Sequence, residues 1–154
     1  MATRVVSDVQ KITSDIHKVY AFLSDFNKIG ALINMARQTG MAKEQMAPIA
    51  DKVENFQTTE DGCTFDVKGV GSMGVFIVER EEPKLIKFEG DGSVSFEFTL
   101  WIQLLDHGAY DTRMRITFES EMNMVMKMLL KGKLEKGINQ LAEGLAKIPY
   151  AMIP

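Results

Sequence analysis

Cysteine is almost absent from this chain of 154 residues: Cys63 stands alone, so an intramolecular disulfide is impossible and the cysteine spacings of zinc fingers and secreted scaffolds do not occur. Histidine is nearly as scarce. His17 and His107 lie far apart, and two distant histidines with one thiol match no usual zinc spacing, so neither a metal nor a cofactor is expected. Neither sign of charge dominates: 18 basic and 21 acidic residues give a net charge of −3, and the pI is near 5.4. That balance removes the cationic surface a phosphate-backbone binder needs, and no nucleic acid partner is expected. Long hydrophobic runs are missing too. No window approaches the ~20 apolar residues of a membrane span, and the opening MATRVVSDVQKITSD holds no run of signal-peptide length, which predicts a cytoplasmic protein without a membrane span.

What is present is the composition of an ordinary globular domain, 45% apolar and 25% charged. Residues 1–154 read as a single domain, since no linker, repeat or low-complexity tract divides them. A domain of this size hides roughly 70% of its unfolded surface, enough for a core with room to be hollow.

The β-branched segment Arg4 to Ile12 reads as a strand. Thr13-Ser14-Asp15 then offers capping oxygens ahead of Ile16, Val19, Tyr20, Leu23 and Phe26, which share one helical face. Gly30 interrupts that pattern. Ala31 to Gln38 and Met41 to Asp51 read as one or two short helical pieces broken at Gly40 and Pro48. From Val53 the period becomes two, with Gly, Asp and Pro clusters marking turns between antiparallel strands. The clearest strand is Val94 to Leu104, where Val94, Phe96, Phe98, Leu100, Ile102 and Leu104 face one way and Ser95, Glu97, Thr99, Trp101 and Gln103 the other. In the next, Tyr110, Thr112, Met114, Ile116, Phe118, Ser120 and Met122 share the apolar side. A long helix from about Met124 to Lys147 follows. Its stripe Leu130, Leu134, Ile138, Leu141 and Leu145 steps by 4, 4, 3 and 4, and burial against the open sheet face is expected.

The opening strand running into a capped helix with Val19-Tyr20-Ala21-Phe22-Leu23-Ser24-Asp25-Phe26-Asn27, the segment Val75 to Phe88 (VFIVEREEPKLIKF) and the long terminal helix together resemble the SRPBCC superfamily. It holds START-related lipid-transfer domains, plant pollen-allergen-like proteins and polyketide cyclase/dehydrase-like proteins. From Ile86-Lys87-Phe88 through Leu100 to Leu105 and the terminal helix, the chain is also similar to a small group of uncharacterised bacterial members of that superfamily. The resemblance covers nearly the whole chain except Gly30 to Ala50. It implies an α+β helix-grip fold: a curved antiparallel sheet of about six to seven strands wrapped around a long C-terminal helix, with short helices between the first and second strands. It also implies a cavity between sheet and helix for lipids, polyketides, quinones or similar molecules, and no shared catalytic motif.

Read residue by residue, the chain offers no nucleophilic triad, because a base for one would have to be His17 or His107, on an exposed helix side and in a hairpin turn. No catalytic residue is assigned. Glu97, Glu119 and Glu121 fall on the face opposite the aromatics, as solvated surface, whereas Asp66 and Arg80 sit in strands of less regular alternation and would anchor a ligand if they point inward. Eleven methionines are many for this length, and Met114, Met122, Met124, Met126 and Met128 gather where the last strand meets the terminal helix, suiting either an adaptable pocket or a plain core. Gly132, Gly137 and Gly144 within that helix suggest close approach to the sheet or a ligand, flexibility, or simple tolerance.

The leading expectation is a domain that binds a hydrophobic or amphipathic small molecule. Phe96, Phe98, Tyr110, Met114, Ile116 and Phe118 would form its sheet wall, and Met128, Leu130, Leu134, Ile138 and Leu141 its helix wall. A cyclase, dehydrase or hydrolase using Asp66, Arg80 or Tyr110 is the second reading, and an interaction module built on an exposed Trp101 the third. A monomer and a homodimer are both compatible with the sequence.

Overall fold

The computed structural model describes residues 2–39, 53–68, 71–92 and 97–150. In chain order the elements are β1 (Ala2–Val6), β2 (Gln10–Ile12), α1 (Ile16–Leu23), α2 (Phe26–Thr39), β3 (Val53–Thr58), β4 (Gly62–Val67), β5 (Gly71–Glu81), β6 (Leu85–Gly92), β7 (Phe98–Asp106), β8 (Thr112–Glu121) and α3 (Met124–Ala146). The strands form one eight-stranded antiparallel sheet ordered β1-β8-β7-β6-β5-β4-β3, with β2 also pairing β8. The expected sheet of six to seven strands is therefore larger by the split of the opening strand. The two early helices, α1 and α2, fall between β2 and β3.

That split is a bulge. Val6 pairs with Thr117 and Gln10 with Met114, so three residues of the edge strand face two of β8. Ser7 satisfies both backbone groups of Ile116: its N–H donates to the carbonyl at 2.8 Å, and its hydroxyl accepts from the amide at 2.9 Å. The next amide, of Asp8, donates to Asn139 Oδ1 at 2.8 Å, so the unpaired bulge residue also fastens α3 to the sheet edge.

Asp15 caps α1, accepting from the amides of His17 and Lys18. The helical break expected at Gly30 lies instead at Ser24-Asp25, where α1 ends and Asp25 Oδ1 accepts from the amide of Asn27 at the start of α2. Gly30 sits inside α2 for a different reason. A Cβ there would stand 2.8 Å from Cγ2 of Thr58, so glycine lets α2 lie against β3. The expected helical piece Met41 to Asp51 lies outside the described residues, as do Val94 and Phe96 at the start of the expected strand.

β7 and β8 follow the expected alternation closely, with Ile102, Leu104, Met114, Ile116 and Phe118 buried on one face. α3 departs from expectation. It rests on β1, β2 and β8, and of its leucine stripe only Ile138 is fully buried, joined by Ala142. Leu130, Leu134 and Leu145 are half-buried, and Leu141 is exposed, because it stands about 60° round the helix from Ile138. Close approach of the helix glycines to the sheet is overturned: among the described residues nothing lies within 4 Å of a Cβ built at Gly132, Gly137 or Gly144. Gly137→Ala and Gly144→Ala are therefore each expected to stabilise the fold by up to about 1 kcal/mol, a rise of about 2–4 °C in Tm by calorimetry.

Candidate functional site

The concave face of the sheet is unevenly covered. At one end α1 crosses it from β8, where Thr112 Oγ1 donates to Ser14 O at 2.7 Å, to β5, where Arg80 Nη2 donates to Ser24 O at 3.0 Å. Beneath that crossing Ile77, Ile86, Phe88, Ile102, Leu104, Met114 and Ile116 are all buried. Phe26 meets Phe88 edge-on at 5.7 Å and Phe22 meets Tyr150 at 5.5 Å, closing this end with aromatic packing. Toward the other end the same face carries Phe56, Phe65, Val75, Phe98 and Leu100, each only partly buried, beside Met126 and Leu134 of α3. The sheet's apolar face thus runs from a sealed end to a half-open one.

The half-open end is built from cross-strand pairs. Gly90 of β6 pairs directly with Phe98 of β7, and a Cβ on Gly90 would overlap the Phe98 ring, so glycine lets that ring lie flat on the sheet. The ring then stacks on Phe118, with centroids 5.4 Å apart and planes at 25°. Across the curve, Phe65 packs against Phe56 at 6.2 Å. The result is a partly exposed apolar wall rich in aromatic rings. The inward hydroxyl of Ser120 is occupied, donating to Glu97 O at 2.6 Å.

Of the expected wall residues, Phe98, Met114, Ile116 and Phe118 do lie on the concave face, Met114 and Ile116 toward its sealed end. Leu130, Leu134 and Ile138 lie on the side of α3 toward the protein. Three do not fit: Tyr110 is 72% exposed, Met128 81% and Leu141 41%. Tyr110 precedes β8 and stands in the turn after His107, where strand parity no longer applies. Met128 belongs to the outward side of α3. Phe96 lies outside the described residues. Phe56, Phe65, Val75 and Leu100 were not among the expected wall residues; the register shifts of β3 and β5 hide the alternation around Phe56, Phe65 and Val75, whereas Leu100 lies on the regularly alternating apolar face of β7, and the pairing of Gly90 with a ring is a usable sign.

The polar candidates are engaged elsewhere. Register shifts between Ile77 and Glu79, so Arg80 pairs with buried Ile86 and points to the concave side. There it bridges Ser24 O, Glu60 O at 3.4 Å and the Asp61 carboxylate at 2.8 Å, tying α1 to the β3–β4 turn rather than facing the aromatic wall. It borders an open cleft of about 410 Å³ with Tyr20, Lys28, Glu60 and Glu82. Burial and then Glu82 raise the Tyr20 hydroxyl above its usual pKa, against the opposing pull of Arg80. Asp66 lies on the outer face, accepting from Asn55 at 2.7 Å and Ser72 at 2.6 Å, and these bonds hold its carboxyl below the usual range. Burial raises the Cys63 thiol, keeping it protonated on the concave face. His17 and His107 are exposed. Among the described residues no three His, Cys, Asp or Glu side chains are grouped to hold a metal. Trp101 points outward as expected, but it is half-covered by Arg4 and Lys87, whose charges lie 5.9 and 5.7 Å from its ring centre.

Tyr150 gives this packing a pH dependence. Its hydroxyl donates to Leu145 O at 2.7 Å, joining the chain end to α3, and burial pushes its pKa well above the ordinary tyrosine value. Because the folded pKa is raised, the stabilisation is complete below about pH 10 and is lost as pH climbs toward the folded value. Urea midpoints measured from neutral to alkaline pH are expected to fall above about pH 10. Tyr150→Phe is expected to be less stable by about 1 kcal/mol at neutral pH and to lose less on alkalinisation.

Comparison with protein-family models and with curated proteins finds no match. Solved structures do match. Norcoclaurine synthase from Thalictrum flavum, in complex with dopamine and hydroxybenzaldehyde, superposes with a TM-score of 0.63 at 11% identity, over 100% of this chain and 90% of that one. A conserved protein from Geobacillus kaustophilus gives 0.58 at 11% identity, over 98% and 95%. A START superfamily protein from Mycobacterium smegmatis gives 0.51 at 15% identity, over 90% and 98%. With its curved antiparallel sheet, two early helices and long terminal helix, this chain has the START-like helix-grip fold.

Proposed function

We propose that the protein binds a hydrophobic or amphipathic small molecule between the half-open end of its sheet and α3. The observation that carries this reading is the gradient along one face. Ile86, Ile102 and Ile116 are sealed under the helices, whereas Phe56, Phe65, Val75, Phe98 and Leu100 on the same face keep part of their apolar surface uncovered. Each square ångström of such surface that a ligand covers contributes roughly 25 cal/mol before association costs. The similar START fold, and the similar norcoclaurine synthase structure in complex with dopamine and hydroxybenzaldehyde, support a small-molecule ligand. Binding is favoured over catalysis here because the ionisable groups of the described concave face are committed: Arg80 to its carbonyls and Asp61, and Cys63 to its protonated form.

Titration with a polarity-sensitive fluorescent fatty acid is expected to saturate at one molecule per chain. Leu100→Glu places a carboxylate in the aromatic wall and is expected to weaken binding by at least about tenfold, while Leu105→Glu on the exposed side of the same strand leaves it unchanged. Gly90→Val, which drives the Phe98 ring off the sheet, is expected to weaken it as well. Absence of saturable binding by the unaltered protein, both to this probe and to material extracted from the purified protein and read by native mass spectrometry, would overturn the reading.

A further inference from the structure

The first turns of α3 are apolar on two sides. Met126, Leu130 and Leu134 face the protein, half-buried, whereas Met124, Val125, Met128 and Leu129 are between 66% and 81% exposed. At 100° per residue those four span an arc of about 140°, flanked by Lys131 on one edge and Lys133 on the other. No acidic residue occurs between Glu121 and Glu135, although the chain as a whole carries a net charge of −3. Lys127, Lys131 and Lys133 form no ion pair among the described residues. The stripe is therefore an exposed apolar surface with a cationic border on an otherwise acidic molecule.

We infer that this face of α3 docks the protein onto an anionic lipid surface. The composition is that of an interfacial helix, with apolar side chains to enter the headgroup region and lysines whose stems pack along it while their ammonium groups meet lipid phosphates. A second copy of the chain fits less well, because two-fold packing of this stripe would set the lysines of one protomer against those of the other. The position adds a reason. α3 begins at Met124, directly after β8 ends beside Phe98, so the stripe lies at the half-open end of the sheet. In that respect the inference rests on the proposed ligand site: a lipid-like molecule would pass between bilayer and sheet at the docked end.

Vesicle flotation tests the docking, with phosphatidylcholine vesicles compared with vesicles holding about 30% phosphatidylglycerol, at low salt and at about 0.5 M salt. Recruitment is expected on the anionic vesicles and is expected to fall with salt. The double variants Met128→Asp with Leu129→Asp, and Lys131→Glu with Lys133→Glu, are each expected to lower partitioning at least about tenfold. These side chains are solvent-facing, so circular dichroism and thermal midpoints should stay near those of the unaltered protein, and fatty-acid probe binding in solution should persist. Three outcomes would overturn the inference: no recruitment, recruitment indifferent to lipid charge and to the lysine changes, or a dimer dissolved by Met128→Asp with no vesicle binding. Vesicle failure with intact probe binding removes the docking alone; probe failure with intact vesicle binding removes the ligand site alone.

Discussion

A curved sheet of this width has one apolar face to shield, and the three helices of the described residues do the shielding unequally. α1 is short, but its position is fixed at both ends by hydrogen bonds from the sheet, Thr112 to Ser14 and Arg80 to Ser24, so it seals what it crosses. α3 is long, yet it is seated toward the β1–β8 side, where Asn139 takes the amide that the Ser7–Val9 bulge leaves free. The interior therefore closes from one end. Everything inferred about ligands depends on that asymmetry.

Bulges set the polar end of the molecule as well. Without the extra residue near Val78, strand parity would carry Arg80 to the outer face with Glu89 and Lys87. The shift turns a cation inward at the rim, and the β3–β4 turn supplies Asp61 and Glu60 O to meet it. A half-buried guanidinium needs such partners, and here they come from the end of α1 and the β3–β4 turn, which the Phe26 amide also joins by donating to Glu60 O at 3.2 Å. The result is a strut between α1 and the sheet.

How much of this was legible in the sequence varies with the physics involved. β7 and β8 were readable because uninterrupted alternation of Phe98 to Leu104 and Thr112 to Met122 permits one register. Arg80 was not, because a one-residue bulge reverses parity without any signal in residue type. Gly30 suggested a helix break on propensity, but close contact with Thr58 outweighs the cost of glycine within α2. The break at Ser24-Asp25 follows from capping chemistry that the apolar period through Phe26 overrode in the reading. Tyr110 failed because alternation was extended past the strand's end, into a turn that Asp106, Gly108 and Asp111 organise. In α3 the apolar spacing of Leu130 to Leu145 was correct as a pattern but silent on which side would find a partner.

That last ambiguity is itself informative. The first turns of α3 carry Met124, Val125, Met126, Met128, Leu129 and Leu130, so the helix could have met the sheet through several rotations, and its orientation must be chosen further along. Ile138 and Ala142, with Asn139 bonded to Asp8, make that choice in the second half of the helix. The first half then inherits its rotation and is left with one apolar side inward and another outward. A helix whose anchoring is concentrated in one half leaves the other held by fewer contacts, and local opening is drawn from such weakly held segments. The half-open end of the sheet and the weakly held half of α3 coincide. Any molecule large enough to fill the space beside Phe98 therefore meets the part of the wall that costs least to displace.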